Sequence, residues 1–516
     1  MTTRIPVRRA AWVLLLAACA SPPAPADTPA PAAAAGSGAT LEAAAATITA
    51  ADMRRRIAFL ASDEMRGRDT PSPELERAAE WLADELRRMG LQPAGDPGSY
   101  LQRYPLRKMI PDSARAGLSA VGAAGGPTPV YGRDLFVVPS GRDSASGPAV
   151  FLGPASRLAD DTPDALEGRI AVVTLGPSIG LEILQAPADA ARAGAAGLVF
   201  VLDPALPAEV VGGMSRQIGG SSFEVPIHTV GLRAEAMGRI LRAAGVDPAV
   251  LADGARAPAP LGARLRLSTP VRRVEHPAPN VVAVLPGSDP ALRDEYVVLS
   301  AHFDHVGVGA PNAAGDSVYN GADDDASGTA AILEVAEALS GLERRPARSV
   351  AILAVSGEEK GLVGSRWFGQ HPTLPMERVV ANINLDMVGR NAPDSVVAIG
   401  EEYSSLGPLA RRIAAGTPAL GLAVAPDPVP EEQLFFRSDH VAFLRRDVPA
   451  LFFTTLLHPD YHAPSDEVEK IDADKAARIA RLVFLLTHAV ADASERPAWQ
   501  GDGLARVRRM LERSPF

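Results

Sequence analysis

The chain has 516 residues, a formal net charge of −10, 47% hydrophobic and 22% charged residues, and one cysteine. That length carries two or three domains with a large buried core, and the composition is ordinary for a globular protein. The acidic balance and the lack of a basic stripe exclude a nucleic-acid binder, which concentrates Lys and Arg against phosphates. A single cysteine excludes a disulfide framework.

Residues 1–19 place Arg4, Arg8 and Arg9 before an apolar run that ends in "LAAC" at Cys19. The run is too short for a spanning helix and reads as an export signal. Its end resembles the bacterial lipoprotein signal, in which the cysteine becomes the lipidated first residue. The expectation is an exported protein of the cell envelope, anchored to a membrane only through Cys19, or else periplasmic or secreted. Residues 20–45 are almost wholly Ala, Pro, Gly, Ser and Thr and read as a disordered tether.

Order is expected from residue 46. "ITAADMRRRIAFLASDEM" and "ELERAAEWLADELRRMGL" read as two helices, the second with Ala78, Trp81, Leu82 and Leu86 at helical spacing. Residues 131–266 alternate short apolar strands with helical pieces and read as an inserted, β-rich α/β domain. Its histidine, His228, has no clustered carboxylates and reads as structural. Residues 267–496, with 46–130, form the larger, discontinuous domain, and 497–516 a C-terminal tail. Longer buried strands such as "EYVVLSAH", "SVAILAVSGEE", "VVANINLDMVG" and "VPALFFTT" alternate with helices there. The fold expected is α/β, a mostly parallel mixed sheet covered by helices on both faces.

In such sheets ligands bind beyond the carboxyl ends of the strands. Those ends bring together His302, Asp304 and His305; Glu358 and Glu359; Asp386; and His458, Tyr461 and His462. The stretch "GADDDASG" adds Asp323, Asp324 and Asp325 at the start of a covering helix. Like charges crowded at buried strand ends are costly unless paired or bound to a cation. Histidines and carboxylates without cysteine suit zinc, with cobalt or manganese as chemical substitutes. The donors exceed what one zinc needs, so two ions sharing a carboxylate and a water fit the inventory, and one of Glu358 and Glu359 stays free as a proton acceptor.

The motifs "HFDH", "GADDDASG", "SGEEKGLVGS", "NLDMVGR" and "DYHAPSDE", in this order, resemble the co-catalytic di-zinc exopeptidases, which include secreted bacterial aminopeptidases, glutamate carboxypeptidase and the transferrin receptor. "FLASDEMRGRDTPSPE" is similar to their N-terminal segment, and 131–266 to the protease-associated (PA) domain that some members carry. The resemblance implies that His302 and Asp386 hold one Zn2+, Glu359 and His462 the other, and Asp324 bridges them. It also implies a cis Asp324–Asp325 peptide, Glu358 as general base, Tyr461 stabilising the oxyanion, and Asp304 and Asp325 as supporting residues, Asp304 orienting His302. Asp323 is expected to matter least. The implied activity is an aminopeptidase acting on peptides with a free N-terminus. A glutamate-carboxypeptidase-type enzyme is the alternative and would need a basic pocket, for which Arg366, Arg390 and Arg437 are nearby in sequence. A glutaminyl-cyclase-like enzyme would lack the His-x-Asp motif that is intact here, and a receptor-like binding module would have lost ligands.

Overall fold

The computed structural model describes residues 38–512 apart from 124–127, 159–165, 177–181, 207–208, 219–223, 253–257 and 310. The expected export signal, Cys19 and most of the tether lie outside the described residues. Among the described residues the strands form a nine-stranded and a seven-stranded sheet.

At the centre of the larger sheet, four strands run parallel in the order Ser349–Val355, Tyr296–His302, Val379–Leu385 and Ala450–Thr454. Successive side chains on a strand point to opposite faces. Val297, Leu299 and Ala301 accordingly join a core shared with the helices Ala50–Leu60, Gly328–Ser340 and Ala473–Asp492, while Val298 packs on the other side with Phe368 and Phe443. Burial on both faces explains why these strands read as unbroken apolar runs.

The flanks differ from the expected, mostly parallel arrangement. Val271–Leu285 runs antiparallel to both Ser349–Val355 and Leu101–Pro111, and Ser395–Ile399 runs antiparallel to Ala450–Thr454. The sheet is therefore mixed, with a parallel centre. Leu101–Pro111 and Val271–Leu285 are the outgoing and returning arms around the second sheet, and two such arms meet antiparallel. Pro105 and Pro277 face each other in this ribbon, where a lost ladder hydrogen bond is tolerated.

The second sheet has the parallel run Ser144–Pro154, Ile170–Leu175, Gly197–Leu202 and His228–Arg233 at its centre. Gly117–Ala120 pairs with Ala259–Ser268 in this sheet, so the inserted unit begins before the expected residue 131. Two terminal segments also depart from expectation. The tether's last residues enter a helix, Gly38–Thr47, which buries Ala44 on the main core; its run of alanines has low complexity but the best helix propensity. The tail contains the helix Gly503–Glu512, whose Val507 and Leu511 pack with Tyr403 and Phe435.

Candidate metal centre

The carboxyl ends of the four parallel strands meet the segment Ala322–Ser327 at one edge of the larger sheet. This segment is a wound turn rather than an ordinary cap. Gly321 has φ 58°, where a Cβ would stand 2.3 Å from the Asp324 carbonyl oxygen. At Gly328 a Cβ would fall 2.4 Å from Asp325 Oδ1. Only glycine fits either position. The Asp324–Asp325 peptide is cis.

The three aspartates have separate tasks. Asp324 points both oxygens into the edge: Oδ1 lies 3.2 Å from His302 Nε2, and Oδ2 lies 3.2 Å from His462 Nε2. Asp325 turns inward, its Oδ1 accepting the N–H groups of Gly328 and Met387 and its Oδ2 that of His302. Asp323 is wholly buried, accepts the Gly389 N–H at 2.6 Å and faces His458 Nε2 at 3.3 Å. That makes it a structural anchor of the turn. Asp466, which sequence reasoning passed over, accepts the backbone N–H groups of both Asp323 and Asp324.

Around Asp324 the donors divide into two groups. On one side, His302 Nε2 is 3.5 Å from Asp386 Oδ1. On the other, His462 Nε2 is 3.0 Å from Glu359 Oε2, and His305 Nδ1 is 2.9 Å from Glu359 Oε1. The structure thus brings together all five residues expected as ligands and adds His305. Asp325 also lies within reach of His302 and Asp386, but its three backbone partners occupy its oxygens, which leaves Asp324 as the carboxylate facing that side.

A relay of buried hydrogen bonds orients Asp386. Asn382 donates to Ser300, Ser300 to Asn384, Asn384 to Ser438, and Ser438 to Asp386 Oδ2 at 2.8 Å. One carboxylate oxygen is consumed and Oδ1 is left toward His302. Asp304 reaches His302, as expected, and has a second task. Its carboxylate is 3.7 Å from His302 Nδ1 and helps hold the ring's proton, and the same nitrogen meets the Asp304 backbone carbonyl at 3.2 Å. The carboxylate accepts from Thr70 Oγ1 and the Glu358 N–H, and so fixes the loop that presents Glu358.

Arg68, from the segment "MRGRDT", is fully buried beneath the site, and its guanidinium donates to the carbonyls of Leu60, Phe303, Asn320 and Gly321. Burial brings its pKa down to about 10 despite the carboxylates of Asp304, Asp324 and Asp466 nearby.

The electrostatics are those of a site built for cations. Burial alone would discharge His302 and His462, yet the surrounding carboxylates hold both above the ordinary imidazole range, His462 at about 10. The same histidines keep Asp324 and Glu359 well below the carboxylate range against the effect of burial. Glu358 is pushed well above the usual glutamate value by burial, with Glu359, Asp439 and Asp386 adding repulsion that His302 only partly offsets. Asp439, also buried, is raised to about 7, first by burial and then by Asp386 and Asp304, against the opposing effects of His302 and Ser365. Ser438 and Asp439 lie in an irregular stretch, and sequence periodicity gave no signal for them.

The mouth of the site is lined by Glu358, Tyr461, Arg437 and the apolar side chains of Met387, Leu434 and Phe452. Burial first, then Asp324 and Glu359, keep the Tyr461 hydroxyl protonated far above its usual range. Of the three arginines near the motifs, only Arg437 lines this mouth, 3.5 Å from the Tyr461 hydroxyl; Arg390 is paired with Asp460 at 2.7 Å.

A metal fits this donor set. His462 Nε2, Asp324 Oδ2, Glu359 Oε1 and both ring nitrogens of His305 are buried without a hydrogen-bond partner, which native interiors rarely tolerate. Nitrogen and oxygen donors without thiolate suit zinc.

Residues 280–487 match the family model of peptidase family M28. A probable leucine aminopeptidase of Arthroderma otae is 27% identical over 232 residues, which is 43% of this chain and 61% of that protein. The chain spans less than two thirds of the length of such curated relatives. An aminopeptidase from Aneurinibacillus sp. strain AM-1 superposes with a TM-score of 0.58 at 20% identity, covering 88% of this chain and 97% of the other. BSAP, a zinc aminopeptidase from Bacillus subtilis, gives 0.51 at 19% identity, covering 87% and 96%. These two likenesses establish a shared fold.

Proposed function

We propose, from the match of residues 280–487 to the model of peptidase family M28, that the protein is a zinc-dependent aminopeptidase with two Zn2+ per chain. His302 and Asp386 serve one ion, Glu359 and His462 the other, and Asp324 both. The observation that carries this reading is Asp324, with one oxygen 3.2 Å from a histidine of each group. When bound, the two ions would polarise the scissile carbonyl and acidify a water molecule.

The chain's own residues do the rest. Glu358 stands at the mouth of the site with a raised proton affinity. It takes the proton from the attacking water and passes it to the leaving amine. Tyr461, held protonated, donates to the developing oxyanion. Met387, Leu434 and Phe452 offer apolar surface at the mouth to the side chain of the substrate's terminal residue. A glutamate-carboxypeptidase-type site would need several cations there, and among the lining residues Arg437 stands alone.

The seven-stranded unit is, in this reading, a PA-like insert. The location proposed is the cell envelope, by export through residues 1–19 and lipidation at Cys19. Among the described residues no helix is long and apolar enough to cross a membrane.

Replacing Glu358 by Gln tests the proton-transfer role. Zinc content should stay at the wild-type level while kcat falls by about 10²- to 10⁴-fold. Unchanged turnover would overturn the role of Glu358.

A further inference from the structure

We propose that Arg390 and Asp460 are positioning residues for Tyr461: their ion pair ties the turn that carries Tyr461 and His462 to the loop after Asp386, and so aims the Tyr461 hydroxyl into the mouth of the site. The proposal rests on the reading of Tyr461 as the donor to the oxyanion.

Residues 455–467 contain no strand and no α-helix, although Tyr461 and His462 both lie there. Two residues of this stretch are left-handed without being glycine, Leu456 at φ 71° and His462 at φ 52°. Such backbone persists only where its surroundings hold it. Two motif residues that the two-ion chemistry leaves unused supply the hold, the arginine of "NLDMVGR" and the first aspartate of "DYHAPSDE".

Both side-chain oxygens of Asp460 are occupied. Oδ2 accepts from Arg390 Nη2 at 2.7 Å, and Oδ1 accepts from Ser465 Oγ at 2.7 Å and Lys470 Nζ at 2.6 Å. The bond from Ser465, with that from the Ala463 N–H to the Asp460 carbonyl at 3.0 Å, closes a turn around Tyr461 and His462, whose rings stack 3.9 Å apart. The base of this turn also leans on the aspartate segment. The Asp460 N–H donates to His458 Nδ1 at 3.2 Å, and His458 Nε2 faces Asp323 Oδ2 at 3.3 Å.

Arg390 is the fixed end of the pair. Its N–H donates to Thr455 Oγ1 at 3.3 Å, and its carbonyl accepts from Nζ of Lys475, a fully buried residue of the helix Ala473–Asp492. Beside it, Asn391 Nδ2 donates to the carbonyls of Thr455, Leu456 and Leu457 and so holds the other left-handed residue. The side chains of Arg390 and Asp460 are each 16% exposed, which limits screening of the pair. Arg390 does not line the mouth of the site, so its effect on the reaction runs through the turn. A donor to the oxyanion works only when it is aimed, and a displacement of about 1 Å costs roughly 100-fold in rate.

The kcat and KM of zinc-loaded wild type, Arg390→Met, Tyr461→Phe and the double variant test this. Tyr461→Phe should lower kcat by about 10²- to 10³-fold. Arg390→Met should lower kcat by about 10- to 100-fold with KM unchanged. Added to Tyr461→Phe, it should cost nothing further, because the hydroxyl it positions is already gone. In calorimetry, a phosphinic dipeptide, which places an oxygen where the oxyanion forms, should bind Arg390→Met more weakly by the same factor as kcat falls, with both zinc ions retained. Arg390→Met that keeps the wild-type kcat, raises KM alone, loses a zinc ion, or costs the same factor with and without the Tyr461 hydroxyl overturns the proposal. If Arg390→Met does not fold, Asp460→Asn, of the same shape, takes its place in the same cycle with the same outcomes. Tyr461→Phe with the wild-type kcat would refute the oxyanion role itself, whereas a large loss there beside an unaffected Arg390→Met would refute only the positioning pair.

Discussion

The two sheets of this chain share an architecture and differ in what their edges hold. Each has four parallel strands at its centre, and each strand ends at a carboxyl edge where a ligand could bind. In the smaller sheet, among the described residues beyond those ends, Asp203 and Arg233 find local partners. Asp203 accepts the N–H of Ala205, and Arg233 lies 3.4 Å from Glu235. His228, at the amino end of its strand, pairs with Thr269 at 2.7 Å, and burial, with Arg142 adding to it, moves its pKa down. In the larger sheet His302 is as buried but is held above its usual range by Asp386, Asp304 and Asp324, and its neighbours keep orphaned donor atoms. Topology offers an edge; uncompensated buried charge marks the one that is used.

The comparison breaks most severely at Asp324, the residue that joins the two donor groups. Asp324→Ala should lose both zinc ions and all measurable turnover, as read by elemental analysis and a peptidase assay; retention of two ions would remove the bridging role.

A smaller, graded effect comes from pH. His302 and His462 hold their protons above the ordinary imidazole value, His462 up to about 10, whereas zinc needs the neutral ring. Each ion therefore displaces protons, so zinc affinity should rise with pH across the range 6.5 to 10, by about tenfold per unit for each proton displaced. Calorimetry in buffers of different ionisation enthalpy should register proton release, and a pH-independent affinity would contradict the coupling.

The smallest effect belongs to the other sheet. His228→Gln removes one buried hydrogen bond and should cost about 1 kcal/mol in denaturant unfolding, with zinc content and kcat unchanged. A loss of zinc in that variant would show that the two sheets are not independent.

The edge itself was legible in the sequence because its signals are local: an apolar strand followed within a few residues by His302, Glu358, Asp386 or His462. What was not legible depends on contacts far apart in the chain. The antiparallel ribbon pairs Leu101 with Val281 across the whole inserted unit, and no local pattern announces it. The task of Asp304 turns on Thr70, and that of Asp386 on Ser438. His305 was visible as a strand-end histidine, but the family pattern carries five ligands and gives it no part. The helix Gly38–Thr47 was masked by an alanine-rich composition that suits a tether and a helix equally well.

The most direct test of the central claim is hydrolysis by the zinc-loaded protein of matched peptides with free and acetylated N-termini, before chelation, after chelation and after zinc is restored. The account predicts cleavage of the free peptide alone, lost with the metal and recovered with about two zinc ions per chain. Zinc-loaded protein that cleaves neither peptide, or that cleaves both equally, would contradict it.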